Sequence, residues 1–266
     1  PDMKSYSRVA YLREIYGDYP GAIEAMQMAV DAGIPGDENT EWARIQLARL
    51  YENTGDLAMA EALYNMSLET RPSYAYALAG LAKLAAGKKD YKKAIEYYQQ
   101  AQLTTVDNAI TEGLAETYVL SGDTKKADEL NKQLISALSK DAESASNDEN
   151  IGHYSDMELA YLYLKTGDTK KALEHAMIEY NRRPDNNDVN ECLAWIYYSS
   201  ADYSNATQHI KKAMQTNNKN PTLLCRAGLI FAKGADKSLA KATIQQGLNS
   251  NANIDLHLKT ESMNIL

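Results

Sequence analysis

Three stretches of the chain repeat one arrangement of apolar and polar positions. Residues 48–60 run Ala-Arg-Leu-Tyr-Glu-Asn-Thr-Gly-Asp-Leu-Ala-Met-Ala, and 115–127 and 160–172 follow the same plan. Each starts on an alanine, has a tyrosine three residues on, breaks at Gly-Asp and returns to alanine five residues after the glycine. Such a segment predicts helix, turn, helix. The frame also catches Ala10…Gly17-Asp18…Ala22, Ala82…Lys89-Asp90…Ala94, Ala194…Tyr197…Ala201-Asp202…Ala206 and Gly228…Phe231…Ala235-Asp236…Ala240. That makes seven predicted helical hairpins.

The residue types suit the geometry. Glycine enters the left-handed conformation that ends a helix, and the aspartate after it caps the next one. Small alanines let two antiparallel helices approach closely, and the tyrosine fills the space at the hairpin. Pro72, Pro184 and Pro221 fall between hairpins, where a helix must stop. The turns are 34 residues apart from 167 to 201 and again from 201 to 235. The interval from 17 to 55 is 38, which leaves four extra residues in 34–39. The interval from 122 to 167 is 45, which leaves eleven extra in the polar stretch 136–152. There the expectation is a lengthened second helix followed by a surface loop.

This pattern resembles the tetratricopeptide repeat, a 34-residue unit with the signature Leu-(Gly/Ala)-x-x-Tyr…Ala…Pro. Leu47-Ala48…Tyr51…Ala60…Tyr64…Pro72 and Leu159-Ala160…Tyr163…Ala172…Pro184 follow it, and the resemblance covers almost the whole chain. Residues 1–33, with Tyr11-Leu12-Arg13-Glu14 and 21–26, are also similar to a block in long bacterial tetratricopeptide proteins of poorly defined role. The resemblance implies an all-α, right-handed superhelical solenoid of about seven hairpins, forming one domain over 1–266. Its units would lie near 3–36, 41–74, 75–107, 108–150 (with the insertion 136–152), 153–186, 187–220 and 221–253. A capping helix would occupy 254–266, as an end repeat needs a lid over its apolar face.

In this family the first helix of each hairpin lines the concave face. The family's ligand-facing positions here hold Tyr11, Trp42, Arg49, Tyr76, Lys83, Glu112, Glu116, Tyr154, Tyr161, Trp195 and Tyr198. Tyr, Trp and Arg are the residues of which binding hot spots are made, so the implied partner is a peptide or protein segment laid in the groove. Arg49 and Lys83 would meet an acidic group, and Glu112 and Glu116 offer the opposite sign. The chaperone-binding subclass grips a terminal carboxylate with a Lys and Asn clamp. The corresponding places here hold Ser7, Tyr11, Ile45, Arg49, Ala79 and Lys83, so such tails are not the expected ligand.

Composition narrows the field further. The chain has 19 Tyr but one Phe and two Trp, which suits half-buried aromatic positions. The formal charge is −8 and no run of Lys or Arg exceeds a pair, so nucleic acid is not an expected partner. No apolar run approaches the roughly 20 residues of a membrane helix. None of His153, His175, His209 and His257 has metal-ligand spacing, although His175 and His209 share a repeat position and would lie side by side. Glycines such as Gly80, Gly87, Gly113 and Gly247 are isolated rather than gathered in a phosphate loop. Catalytic residues, metals and cofactors are therefore not expected, and Cys192 and Cys225 read as small buried residues. A structural subunit of a bacterial envelope assembly, or the recruiting arm of a larger enzyme, are the other readings. The chain begins at Pro1, not Met, so cytoplasmic, periplasmic and lipoprotein locations all fit, and the oligomeric state is left open.

Overall fold

The computed structural model describes residues 2–146, 154–234, 237–250 and 252–266. All regular elements among them are helices: α1 (Met3–Ile15), α2 (Tyr19–Asp31), α3 (Glu38–Thr54), α4 (Leu57–Thr70), α5 (Ala75–Gly87), α6 (Tyr91–Gln102), α7 (Asn108–Ser121), α8 (Thr124–Ser146), α9 (Asp156–Lys165), α10 (Thr169–Arg182), α11 (Asn187–Ser199), α12 (Tyr203–Ala213), α13 (Pro221–Lys233), α14 (Lys237–Asn249) and α15 (Leu256–Met263). They pack as consecutive antiparallel pairs, each pair against the next, and α15 lies on α13 and α14. The added length in the fourth hairpin is taken up in α8, which has 23 residues. The loop expected after it falls on 147–153, outside the described residues, as do Ala235 and Asp236.

The turns are built as their sequence requires. The carboxylates of Asp18, Asp56, Asp90, Asp123, Asp168 and Asp202 each accept the backbone N–H three residues on, at 3.0–3.2 Å. Such caps contribute about 1 kcal/mol each. Gly55, Gly122 and Gly167 precede three of them with φ of 83–87°. Lys89 and Ala201 hold the same place at φ 63° and 60° with a Cβ that the left-handed region disfavours. Ala201→Gly is thus expected to stabilise the fold by about 0.5–1 kcal/mol. Urea denaturation checks it, and an unmoved or lowered midpoint would show that the turn is not strained.

The alanine frame forms the seam. Ala48 with Ala60, Ala82 with Ala94, Ala160 with Ala172 and Ala194 with Ala206 are all fully buried. Between hairpins, the Tyr64 ring lies over Gly80 and the Tyr98 ring over Gly113, so closely that a Cβ at either glycine would overlap the ring. The apolar clusters follow one another along the array and end under α15, where Cys225, Leu229 and Ile244 are covered by Leu258.

Contacts also span the array. A Cβ at Gly17, in the α1–α2 turn, would lie 2.4 Å from the carbonyl oxygen of Asn217 in the α12–α13 loop. Asp188, at the start of α11, has its carboxyl pushed up by burial and by Glu14, against the pull of Arg183 and Arg49. The sixth hairpin therefore approaches the first across the array, at the α1–α2 turn and the α12–α13 loop.

Candidate binding groove

Most of the charged side chains expected to await a partner are paired within the chain. Arg49 donates through Nη1 and Nη2 to the two oxygens of Glu14, at 2.7 and 2.6 Å. Lys83 Nζ lies 3.1 Å from Glu52 Oε2, and Glu52 is itself buried and accepts the Tyr64 hydroxyl. Lys165 bridges Glu112 and Glu116 from the next hairpin. Arg226 donates to Glu191 at 2.7 Å and to the Tyr161 hydroxyl at 3.3 Å. Burial works against the charge on Lys165, but Glu116 and Glu112 outweigh it and raise the ammonium pKa. The same balance, with Tyr161 and Glu191 as partners, keeps Arg226 cationic. These pairs join neighbouring hairpins, so Arg49 and Lys83 are not free cations for an acidic ligand. Reversing their charge would set like charges against Glu14 and Glu52.

The aromatic residues divide by place. Trp195 stacks on Tyr198 with ring centroids 4.9 Å apart and planes 11° from parallel. The Arg226 guanidinium lies over both the Trp195 and the Tyr161 rings, at 5.2 and 5.3 Å. This stack separates two cavities. One, of about 460 Å³, is lined by Lys83, Tyr98, Glu116, Lys165, Trp195 and Arg226, with 253–258 along one side. The other, of about 410 Å³, is lined by Tyr161, Leu164, Lys165, Trp195, Ser199 and Arg226. The two adjoin at Lys165, Trp195 and Arg226, and this stretch of the concave face, the groove, carries Lys83 and Glu116 in one cavity, Tyr161 in the other and Trp195 in both. Glu112 borders a separate cavity of about 390 Å³.

The remaining candidates lie elsewhere. The Tyr198 hydroxyl donates to Glu261 of α15 at 3.1 Å, so the chain's own last helix covers it. Tyr154 sits under the Arg182 guanidinium at 3.9 Å, beside the buried Asp156, away from both cavities. Tyr11, Trp42 and Tyr76 are exposed and line none of these cavities. The groove residues missed include Arg226, and Asn253 from beyond the last hairpin. Arg226 had a legible signal, since it follows Glu191 by 35 residues as Arg49 follows Glu14.

The two histidines at matching repeat positions do not meet. His175 Nδ1 lies 2.8 Å from Asp156 and its ring stacks on Tyr163. His209 Nδ1 lies 2.9 Å from Asn190 Oδ1 and its ring stacks on Tyr197. The Asn190 amide nitrogen is engaged by the Pro184 and Asn186 carbonyls. His175 thus serves its own hairpin, while the His209 ring also meets Tyr180 of the preceding hairpin edge-on at 5.3 Å, and no group of metal-ligating side chains occurs among the described residues. Burial, then Lys212, lowers the pKa of His209. The folded protein therefore holds this imidazole neutral where the unfolded chain protonates it, and stability is lost as pH falls below about 6.5. Thermal denaturation between pH 7.5 and 5 should show that loss and His209→Gln should flatten it; equal slopes would refute it. Cys192 and Cys225 are buried and unpaired, and burial pushes the Cys192 thiol up to about 12, so it is no nucleophile.

Residues 45–110 match the tetratricopeptide repeat family. Among solved structures, a tetratricopeptide repeat protein from Parabacteroides merdae is similar over 98% of this chain and 99% of that one, at 15% identity and a TM-score of 0.53. The Cut9–Hcn1 hetero-tetramer of the APC/C is similar over 94% of this chain and 49% of that one, at 13% identity and a TM-score of 0.51. A comparison with curated proteins finds no match. No helix among the described residues is long and apolar enough to cross a membrane.

Proposed function

We propose that this tetratricopeptide-repeat solenoid is a non-catalytic interaction scaffold that holds an extended peptide or protein segment in its concave groove. The fold serves protein–protein interaction in general and is typically not catalytic. The observation that carries the finer reading is the Trp195–Arg226–Tyr161 stack. It is a half-buried aromatic and guanidinium surface between two adjoining cavities, of the composition that dominates binding energy. Around it the charges are neutralised by internal pairs, so recognition rests on aromatic faces and hydrogen bonds rather than on net charge.

A chemical block tests this. The native cysteines are buried, so Lys165→Cys would carry the one reactive thiol, at the groove wall, and a bulky maleimide there would fill the groove. Twelve-residue peptides selected from a displayed random library on the wild-type chain serve as probe. Labelling should abolish peptide binding while leaving the melting temperature unchanged; undiminished binding by the labelled protein would rule the groove out.

A second reading has its own observation. Val9 and Leu12 of α1 and Tyr16 at its C-cap form an exposed apolar stripe, at 42, 53 and 63% exposure. Such a stripe suits a structural subunit that docks by its edge. Leu12→Glu should then abolish binding that survives the groove block.

A further inference from the structure

The groove already holds part of this chain. Asn253 belongs to the segment between α14 and α15, yet its side-chain amide reaches Glu52 Oε2 at 3.4 Å and the Lys83 carbonyl oxygen at 3.2 Å. Those partners are 201 and 170 residues away in sequence. Residues 252–255 are not helical, and they run beside Lys83 and Gly87 on one side and Trp195 and Arg226 on the other. Ile254 and Leu258 anchor the segment in the apolar cluster beneath Trp195 and Tyr198.

The receiving surface is fitted to this segment. A Cβ at Gly87 would lie 2.2 Å from Asn253 Oδ1. Gly87 is the last residue of α5 and its φ is not left-handed, so its own backbone does not call for glycine. The room is needed for Asn253. Glu52 Oε2, buried behind Lys83, accepts from both the Lys83 ammonium and the Asn253 amide. Asn253 is only half-buried, its bond to Glu52 is longer than an ordinary N–H···O bond and its bond to Lys83 lies at the exposed side of the cavity, so another carboxamide could replace both at little cost.

We infer that residues 252–255 are a tethered occupant of the groove, and that the partner is an extended peptide bearing an Asn or Gln side chain that displaces them. This rests on the groove reading above. The tether holds the segment at a local concentration in the millimolar range, so a free peptide binds only through the fraction of molecules in which the strap is open. Leu258 and Ser262 stay buried against α13 and α14, so release is confined to the strap and leaves the last helix seated.

The test uses the full chain. Twelve-residue peptides are selected from a displayed random library on Asn253→Ala, whose strap lacks its amide while the receiving residues are intact. Their affinity is then measured for wild type, Asn253→Ala and the double variant Gly87→Cys, Asn253→Cys. A Cβ at residue 87 would stand 3.1 Å from Asn253 Cγ, within the range over which a disulfide closes. Expected results are selected peptides rich in Asn or Gln, and binding to Asn253→Ala about 3- to 30-fold tighter than to wild type. The oxidised double variant should bind at least about tenfold more weakly than the same protein reduced. A disulfide that fails to form, or forms between two chains, would overturn the tethered strap. Equal binding by the oxidised and reduced protein would overturn the competition. Absence of any selected peptide would overturn the groove reading and the strap's role with it, whereas groove binding without the crosslink sinks the strap alone.

Discussion

Glu41→Ala is expected to destabilise the protein by about 3–5 kcal/mol, the usual cost of removing one partner from a buried pair. Glu41 has no exposed surface and its carboxylate ties three elements together. It receives Arg44 Nε at 2.9 Å, Ser67 Oγ of α4 at 2.6 Å and the Gly36 N–H of the α2–α3 loop at 2.8 Å. Burial alone would raise its pKa, but the hydrogen bonds from Ser67, Gly36 and Arg44 win and lower it. Alanine would leave the Arg44 guanidinium buried without a counter-charge. The apolar pair Glu41→Leu with Arg44→Met should recover much of the loss, because it removes both charges together. Urea denaturation of the three proteins measures this. A single variant within 1 kcal/mol of wild type, or a double variant as unstable as the single, would contradict it.

Trp195→Ala is expected to weaken peptide binding by about 2 kcal/mol or more, roughly 30-fold. Trp195 borders both cavities, stacks on Tyr198 and lies beneath Arg226. Its loss removes a wall that both cavities share and one of the two rings on which Arg226 lies. Tyr11→Ala, on an exposed ring outside the groove, should change affinity less than about threefold. Isothermal titration with one selected peptide decides between them. Equal effects of the two substitutions would show that the stack is not the recognition surface.

The fold was legible because its determinants are local and recur. Gly-Asp at the turns, alanine at the seam and tyrosine three residues on act within a single hairpin, and seven repetitions leave little room for another architecture. The groove was legible only as a set of positions. Whether Arg49 faces a ligand or Glu14 depends on how one hairpin stacks on the next, which a repeat-by-repeat reading does not resolve. The spacing of 35 residues from Glu14 to Arg49, repeated from Glu191 to Arg226, was the overlooked sign that acidic and basic groove residues are each other's partners. Tyr198 kept its helical register but lost its access because α15 covers it, and Tyr154 falls before the start of α9, under Arg182. Asn253 carried no periodic signal, because its partners lie across the curvature of the array rather than along it.

Hydrogen–deuterium exchange with and without a selected peptide tests the central claim most directly. The groove reading expects slower exchange in α9, α11 and α13 on binding, faster exchange in 252–255 as the strap leaves, and no change in α15 or in the outer helices α4, α10 and α12. Protection confined to the outer helices or to α1, with the groove and strap unaltered, would contradict it.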